Sequence, residues 1–392
     1  MIIEIIFLVS MGLLASSYLL YPGIIFITDR IIPTKDVTPW NRLPYVSIIM
    51  SVYNEDIVIK EKLILLAGLE YPEDKLEILI GSDNSDDDTD IILEEFRATH
   101  DNFNIVIFNS RRGKPAVINE LANRAMGEIL VITDADVMVQ PGSLKNMVAE
   151  FSDPATGLVD SVITGSFSEK KGISLQERTY LNMETRLKQA EGRVGGIMMG
   201  RSGGFYAVRR SLFTPVPENF LVDDFFIAFN ILVKGFRAKV AECAYAREVI
   251  NDDLRIVFRR KVRISAGNFQ NLAYFAQNIL KPWKREYFPF IFHKVIRWTG
   301  PFIYLLMFAC NCLLAGSSFF YLLLFLLQLI FLLLPPLDIM LRRFSINLVP
   351  LRFITHFFLM NVALLAGFGH YLRGIDSGIW EPTKRIKRDE QV

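Results

Sequence analysis

The chain has 392 residues, of which 51% are hydrophobic and 22% charged, and its formal net charge is +1. A single soluble domain does not need 31 phenylalanines or a mean hydropathy of +0.30, so the apolar excess must be concentrated in particular segments. The near-neutral charge argues against a nucleic-acid-binding protein, which would show a strongly basic face. Three cysteines, two of them within an apolar stretch, exclude a disulfide framework or a thiolate metal site and favour a cytosolic soluble part.

The chain begins with an apolar run, residues 2–28, that only Glu4 interrupts. About 20 such residues are enough to cross the hydrocarbon core of a bilayer. A cleaved signal peptide is the alternative, but it would have a basic start and a shorter apolar stretch of about 7 to 15 residues. The acidic start therefore predicts a retained transmembrane helix over residues 1–30.

After a proline-containing linker, short apolar runs rich in β-branched residues alternate with helical patterns. This alternation predicts βαβ units, and hence an α/β domain over residues 44–250 with a mostly parallel sheet and flanking helices. The predicted strands are 45–52, 76–82, 104–110 and 128–133, and the predicted helices between them are 56–69, 89–99 and 114–126.

The second half of the chain is less regular. A long helix is predicted at 173–191, and residues 251–298 combine basic and aromatic side chains in a pattern typical of helices in the headgroup layer of a membrane. Three further apolar stretches in the region 299–372 are candidate spans: 299–314, 318–337 and 353–371.

The number of these candidate spans conflicts with the charge of the basic tail, residues 373–392. One span before the soluble domain and three after it would place the tail on the opposite side of the membrane from that domain. The tail nevertheless carries a cluster of lysines and arginines of the kind that is kept in the cytosol. Either one apolar stretch lies only in the interface or the tail is outside, and we expect a cytosolic tail.

Polar clusters follow the first, second and fourth predicted strands, where ligands bind in parallel sheets. Asp134 and Asp136 follow the fourth strand, and two carboxylates spaced in this way present oxygen ligands to a hard divalent cation that also binds phosphate. A simple turn cap is the alternative. Their position at a strand end favours a site for Mg²⁺ or Mn²⁺.

Two further residues are candidates for nucleotide binding. Asp83 directly follows the second strand and is placed to bond a base or a ribose, whereas Asp86, Asp87 and Asp88 are interpreted as caps of the next helix. Lys114 opens a helix behind two arginines and a glycine, where a cation and backbone amides suit a diphosphate. A solvated run of charge explains Lys114 equally well.

Asp223 and Asp224 precede an apolar helix. Asp223 is suited to capping that helix, and Asp224 is our candidate for the general base that removes a proton from an attacking hydroxyl. Arg260 and Arg263, three residues apart on one helical face, are suited to holding a leaving diphosphate. Contact with lipid headgroups is an equally good interpretation of the two arginines.

The order of these motifs resembles that of the membrane-integrated family 2 glycosyltransferases, the branch that includes the cellulose, chitin, hyaluronan and poly-N-acetylglucosamine synthases. The resemblance covers residues 44–267 and the tail. It implies a GT-A fold with these roles: Tyr53 and Glu55 near the base, Asp83 on the nucleoside, Lys114 near the phosphates, Asp134 and Asp136 on the metal and diphosphate, Asp223 and Asp224 at the family's Glu-Asp pair with Asp224 as base, Arg260 and Arg263 at its Gln-x-x-Arg-Trp motif, and Trp380 in a segment that closes over the nucleotide.

Two departures from the family pattern bear on the product. Arg260 stands where the family has Gln and Ile264 where it has Trp, so the flat surface that supports the acceptor sugar in processive synthases is missing. The resemblance implies an inverting transferase that moves a sugar from a UDP-sugar to a glycan in extracellular or capsular polysaccharide synthesis. The alternative is a non-processive transferase that adds one sugar to a membrane lipid.

The resemblance also implies an integral protein of the plasma or inner membrane with a cytosolic catalytic domain. Whether an export or accessory subunit takes part stays open at this stage. A transporter with a nucleotide-binding domain is a further class, but it would need polar residues along its spans, and these spans contain few.

Overall fold

The computed structural model describes residues 1–32, 42–167, 174–200, 204–250, 254–279, 281 and 283–379. The chain divides into two compact units. Unit 1 consists of Met1–Thr28, Glu169–Met183 and Asn251–Gly374, and unit 2 consists of Asp29–Ser168, Glu184–Ile250 and Ile375–Val392. Trp380 lies outside the described residues.

Unit 2 is built on one eight-stranded sheet with the order β3-β2-β1-β4-β7-β6-β8-β5. Its strands are β1 (Val46–Val52), β2 (Leu76–Ser82), β3 (Phe103–Ile107), β4 (Ile129–Thr133), β5 (Val137–Val139), β6 (Thr156–Phe167), β7 (Phe205–Arg209) and β8 (Arg237–Ile250). Strands β3, β2, β1 and β4 are parallel neighbours, and β6 and β8 are also parallel. The other three pairings are antiparallel, so the sheet is mixed.

The predicted βαβ alternation is present in the first half of this unit. The helices are α3 (Asp56–Ala67), α4 (Thr89–Arg97), α5 (Lys114–Arg124), α6 (Ser143–Ala149) and α8 (Asp223–Val233), while α7 (Ser174–Gly195) is divided between the units. Helix α3 shows how the layers pack. Ile59, Leu63 and Leu66, spaced three and four residues apart, form its buried face and join the core cluster that contains β1, β2 and β4 residues.

Unit 1 is helical. Its helices are α1 (Ile2–Ala15) and α2 (Tyr21–Ile31), joined by a π-helical turn at Ser16–Leu20, then α9 (Leu254–Tyr274), α10 (Ala276–Ile279), α11 (Tyr287–Pro289), α12 (Ile296–Trp298), α13 (Gly300–Leu314), α14 (Phe319–Arg343) and α15 (Val349–Leu372).

Three helical segments of the described chain are long and apolar enough to cross a membrane: Ile2–Ile31, Phe319–Arg343 and Val349–Leu372. The segments Tyr287–Trp298 and Gly300–Leu314 pass the same test only as a pair, which is bent by 66°. Apolar helices at both ends of the chain are thus confirmed, with a fourth crossing if the bent pair is one span.

Candidate active site

The loops that follow β1 and β2 are bonded to each other at the carboxyl edge of the parallel strands. Asn54 and Asn84 begin the two turns in the left-handed region, with φ of 54° and 61°, which asparagine tolerates better than most residues. The Asn54 side chain exchanges two hydrogen bonds with Asp86, and the Glu55 backbone N–H donates to Thr89 Oγ1 at 2.8 Å. These bonds hold the loop after β1 and the loop after β2 together on one side of the site.

The acidic run after β2 therefore does more than cap α4. Asp87 accepts a hydrogen bond from the Thr89 N–H at 3.0 Å, as a cap does, but it also accepts one from the Asp56 N–H at 3.2 Å. Asp86 bonds to the loop after β1, and Asp88 makes no side-chain cap bond. The capping interpretation holds only for Asp87, because the other loop is close enough to compete for these carboxylates.

Asp83 is buried, with 2% of its surface exposed, and it organises the loop that leads into α5. Its carboxylate accepts hydrogen bonds from the backbone N–H groups of Arg112 at 2.7 Å and Gly113 at 2.9 Å. Gly113 has φ of 85°, a conformation that residues with a Cβ rarely adopt. The Arg111 guanidinium lies 3.2 Å from the same carboxylate and 3.2 Å from the centre of the Tyr53 ring.

Replacing Asp83 by Asn is expected to weaken nucleotide binding by about 10- to 100-fold. An amide cannot accept both backbone N–H groups, because one of its two ends is itself a donor, and a buried donor without an acceptor costs about 1–3 kcal/mol. Calorimetric titration with UDP and GDP measures the effect. Asp101→Asn, at an exposed position in the same unit, is the control, and equal affinity in the two variants would contradict this role for Asp83.

Lys114 joins two parts of the chain that are far apart in sequence. Its ammonium lies 2.6 Å from Asp134 Oδ1, in the loop after β4, and 3.7 Å from Asp223 Oδ2, in the first turn of α8. Asp223 is buried, whereas Lys114 and Asp134 keep part of their surface exposed. Because the Lys114 ammonium is shared between two carboxylates at a partly exposed edge, it is also suited to binding an added anion such as a phosphate.

Asp224 follows Asp223 in the first turn of α8 and is partly exposed. One of its carboxylate oxygens accepts the N–H of Phe225 at 2.6 Å. Asp224 is thus placed beside the cluster of Lys114, Asp134 and Asp223, and it can still be reached from solvent.

Sequence analysis did not single out Lys62, which lies under the loop of Asp134 and Asp136. Lys62 is fully buried on α3, and its ammonium donates to Thr133 Oγ1 at 2.7 Å and to the Val137 carbonyl oxygen. Burial lowers the pKa of Lys62 to about 7, although the charges of Asp134 and Asp136 act in the opposite direction. A signal was present in the sequence, since Lys62 falls on the apolar face that Ile59 and Leu66 define.

The donor chemistry at Asp134 and Asp136 fits a hard cation. Both side chains are partly exposed, so they are accessible to a metal that arrives with a phosphate. Within the described part of the chain, no three His, Cys, Asp or Glu side chains are grouped to hold a metal by themselves.

The structure thus brings together Tyr53, Glu55, Asp83, Lys114, Asp134, Asp136, Asp223 and Asp224 along one edge of the sheet in unit 2. Arg260 and Arg263 lie on α9, in unit 1. Trp380 lies outside the described residues, although the segment just before it is described. In that segment the Gly378 N–H donates to the Glu218 carbonyl at 3.0 Å, and Gly378 lies against Gly113.

A mixed sheet whose parallel strands end in clustered carboxylates and a lysine defines a catalytic domain of the GT-A type. Residues 47–215 match the model of Glycosyl transferase family 2. The chain therefore contains a family 2 glycosyltransferase domain, and the resemblance drawn from its motifs is confirmed.

Curated relatives include enzymes with different products. A beta-monoglucosyldiacylglycerol synthase of Trichormus variabilis is 28% identical over 172 residues, which are 43% of this chain and 37% of that protein. A poly-beta-1,6-N-acetyl-D-glucosamine synthase of Staphylococcus epidermidis is 24% identical over 266 residues, which are 66% of this chain and 63% of that protein. The chain thus spans less than two thirds of the length of these relatives.

A similar solved structure is the mannosyltransferase PcManGT from Pyrobaculum calidifontis in complex with GDP-Man and Mn²⁺. The TM-score is 0.68 at 23% sequence identity, and the match covers 94% of this chain and 99% of that one. At this level of identity the match establishes a common fold.

Proposed function

We propose that this protein is an inverting glycosyltransferase that moves a sugar from a UDP-sugar to a glycan acceptor in the synthesis of an extracellular or capsular polysaccharide. The observation that carries the proposal is the position of the Lys114 ammonium, 2.6 Å from Asp134 and 3.7 Å from Asp223. It links the proposed diphosphate site to the helix that bears the proposed base. The family 2 domain over residues 47–215 supports this interpretation.

The donor end of the site is formed by the loops after β1, β2 and β3. Tyr53, Glu55 and Asp83 bind the nucleoside, and Arg111 adds a cation between Tyr53 and Asp83. Lys114 binds the diphosphate together with the backbone N–H groups at the start of α5. Asp134 and Asp136 hold Mg²⁺ or Mn²⁺, which when bound neutralises charge on the leaving diphosphate.

The transfer step depends on this chain's own acid and base groups. Asp224 accepts the proton of the acceptor hydroxyl as the oxygen attacks the anomeric carbon, and the bond from that carbon to the diphosphate breaks on the opposite side. Asp223 keeps Lys114 next to the diphosphate site. Arg260 and Arg263 stabilise the charge of the leaving group, and Trp380 belongs to the segment that closes over the nucleotide.

The acceptor decides between the main proposal and its alternative. Transfer of a single sugar to a membrane lipid is favoured by one observation, the presence of Arg260 and Ile264 where processive relatives have Gln and Trp. The two relatives described above include one enzyme named for each kind of product, a glycolipid and a polysaccharide. In either case, we propose that the catalytic unit lies in the cytosol, beside the plasma or inner membrane.

The test is turnover of purified full-length protein in lipid nanodiscs with a panel of UDP-sugars and GDP-mannose. We expect release of UDP that depends on Mg²⁺ or Mn²⁺ and on an added acceptor. Labelled product of many sugar units would support the polysaccharide, and a lipid carrying one sugar would support the alternative. Nucleotide binding without sugar transfer from any donor would contradict both and favour a nucleotide-binding transporter or channel.

A further inference from the structure

Contacts between the helices of unit 1 show the direction of each helix relative to α1 and the π-helical turn Ser16–Leu20 that follows it. At one end Phe7 packs with Cys310 and Leu314, the last turns of α13. At the other end Tyr18 faces Gly300, the first residue of α13, at 3.6 Å from the position a Cβ would take there. Helix α13 therefore runs antiparallel to α1, from the level of Tyr18 to the level of Phe7.

Helix α14 returns in the opposite direction. The ring of Tyr321, in its first turn, contacts Phe7 with centroids 5.7 Å apart. Phe331, ten residues later, contacts Phe357, which in turn contacts Tyr18 at 5.8 Å. Because each helical residue adds about 1.5 Å, α14 has come back to the Tyr18 level by Phe331 and continues beyond it. Helices α13 and α14 thus form a hairpin whose turn lies at the Phe7 end.

Helix α15 is not aligned with α1, α13 and α14. Phe357 contacts Tyr18, and Phe368 contacts Phe302 with centroids 4.9 Å apart. The two α15 residues are about 16 Å apart along their helix. Both nevertheless contact the bundle close to Tyr18. Phe357 contacts Tyr18 itself, and Phe302, the partner of Phe368, lies only two residues after Gly300, which faces Tyr18. Helix α15 therefore runs across the bundle, as a helix in the membrane plane does.

The neighbour of α15 along its length is α9. The two helices are parallel and in close contact: Ser265 Cβ occupies the space that a side chain at Gly367 would need, and Ser265 Oγ donates to the Leu364 carbonyl at 3.1 Å. Helix α9 carries five basic residues, too many for the hydrocarbon core: Arg255, Arg259, Arg260, Lys261 and Arg263. A helix that packs along α9 shares its surroundings, which are those of the headgroup layer.

An ion-paired cluster joins the two helices to α7. Glu177 accepts from Lys261 Nζ at 2.7 Å and pairs with His356 Nε2 at 2.8 Å. Burial alone would raise the pKa of Glu177, but the hydrogen bond from His356 and the charge of Lys261 outweigh it and hold the value at about 2. A charged cluster of this kind is costly in hydrocarbon and inexpensive near headgroups.

The distribution of charge in the connecting loops agrees with this arrangement. The turn between α13 and α14, residues 315–318, has no charged residue, whereas the connection from α14 to α15 is flanked by Arg342, Arg343 and Arg352. Arginines are retained on the cytosolic side of a membrane. The chain then returns to unit 2, where the Ile375 carbonyl accepts from Asn219 Nδ2 at 3.1 Å. Between residues 251 and 374 it must cross the membrane an even number of times.

We propose that the membrane is crossed by Ile2–Ile31, by α14 and by the bent pair in which Tyr287–Trp298 precedes α13, and that α15 lies beside α9 in the headgroup layer, where the pocket between the two helices holds the phosphate of a membrane phospholipid. Two crossings, by the bent pair and by α14, give the even number that the return to unit 2 requires. This resolves the conflict over the tail, because the stretch 353–371 is the one that lies in the interface.

The pocket has the composition that a phospholipid requires. Its volume is about 330 Å³, and it is lined by Arg255, Phe258 and Arg259 from α9 and by His356, Leu359 and Met360 from α15. The two arginines are four residues apart and so lie on one face of α9, where they are suited to one phosphodiester. The apolar side chains of both helices face the first carbons of the acyl chains.

Two isosteric substitutions test the topology. Ser317→Cys and Ser345→Cys are introduced separately into full-length protein whose native Cys243, Cys310 and Cys312 are replaced by Ser, and sealed vesicles are treated with a membrane-impermeant maleimide. Both positions are exposed. Asp101→Cys marks the face of the catalytic unit. We expect Ser345→Cys to react from that face and Ser317→Cys from the opposite one; the reverse pattern, or labelling of both from one face, would refute the proposal.

The lipid site is tested by titrating purified full-length protein with short-chain phosphatidylglycerol, phosphatidylcholine and inorganic phosphate. We expect phosphatidylglycerol to bind at least ~10-fold more tightly than the other two, and the double variant Arg255→Gln/Arg259→Gln to lose this preference. The control is Lys284→Gln/Arg285→Gln, at exposed basic positions of the same unit. Equal binding of inorganic phosphate, or full phosphatidylglycerol affinity in the double variant, would refute the lipid site.

Discussion

Asp224→Asn is expected to lower the turnover number about 1000-fold while the affinity for the nucleotide changes less than about twofold. A positioned general base contributes about 10²- to 10⁴-fold to a rate, and an amide cannot take the proton of the acceptor hydroxyl. A 1000-fold loss corresponds to about 4 kcal/mol in the activation free energy. The side chain keeps its size, and the Phe225 N–H retains an oxygen acceptor, so α8 should still begin at the same residue.

Two further variants separate the role of Asp224 from that of its neighbours. Asp223→Asn removes one of the two negative partners of Lys114 and is expected to raise KM for the donor as well as to lower turnover. Glu120→Gln, at a partly exposed i,i+4 partner of Arg124 on α5, is expected to change neither. Steady-state kinetics with a defined acceptor gives both constants. Turnover of Asp224→Asn within tenfold of the wild type would assign the base to another residue.

Lys62→Met is expected to raise the Mn²⁺ concentration needed for half-maximal activity by at least ~10-fold, with little loss of folded protein. The Lys62 ammonium bonds to Thr133 and Val137, which flank the loop of Asp134 and Asp136 on either side. Without it the loop loses both bonds and the cation that balances two carboxylates. Methionine fills a similar volume, and the relief from burying a charge offsets the cost, about 1–3 kcal/mol, of leaving the Val137 carbonyl without its donor.

Thermal unfolding distinguishes a positioning role from a purely structural one. Lys60→Met, at an exposed position on the same helix, is the matched control for activity and for melting temperature. The folded pKa of Lys62 is about 7 and its ordinary value is 10.5, so between these values the unfolded chain binds a proton that the folded chain does not. Wild-type stability should therefore rise with pH across that window relative to Lys62→Met. Unchanged metal activation in Lys62→Met would remove the positioning role.

The parallel half of the sheet was accessible from local patterns. Strands β1, β2 and β4 are mainly apolar runs, and β2 was predicted with its observed ends, Leu76 and Ser82. Polar residues that follow such runs must lie at one edge once the strands are parallel. For this reason Asp83 and Asp134 were expected at one edge before any distance between them was known, whereas Lys114 was a candidate because it opens a helix.

The second half of the sheet, which combines three antiparallel pairings with the parallel pair β6 and β8, was not predicted. Strand β7 pairs with β4, and β8 pairs with both β6 and β5, over sequence separations that no local pattern encodes. Lys62 was missed for a related reason, since the sequence shows a lysine on an apolar face but not the two acceptors, Thr133 and Val137, that make its burial tolerable.

The sequence by itself determined where the strands and helices of the parallel half form, which of those strand ends carry carboxylates and which segments are apolar enough to enter a membrane, because these properties depend on neighbouring residues. Only the tertiary structure decided that Lys114 bridges Asp134 and Asp223, and that α15, although apolar enough to cross, lies along the charged helix α9. Both outcomes depend on contacts between residues distant in the chain, since the energy of a charge or an apolar surface is set by what packs against it.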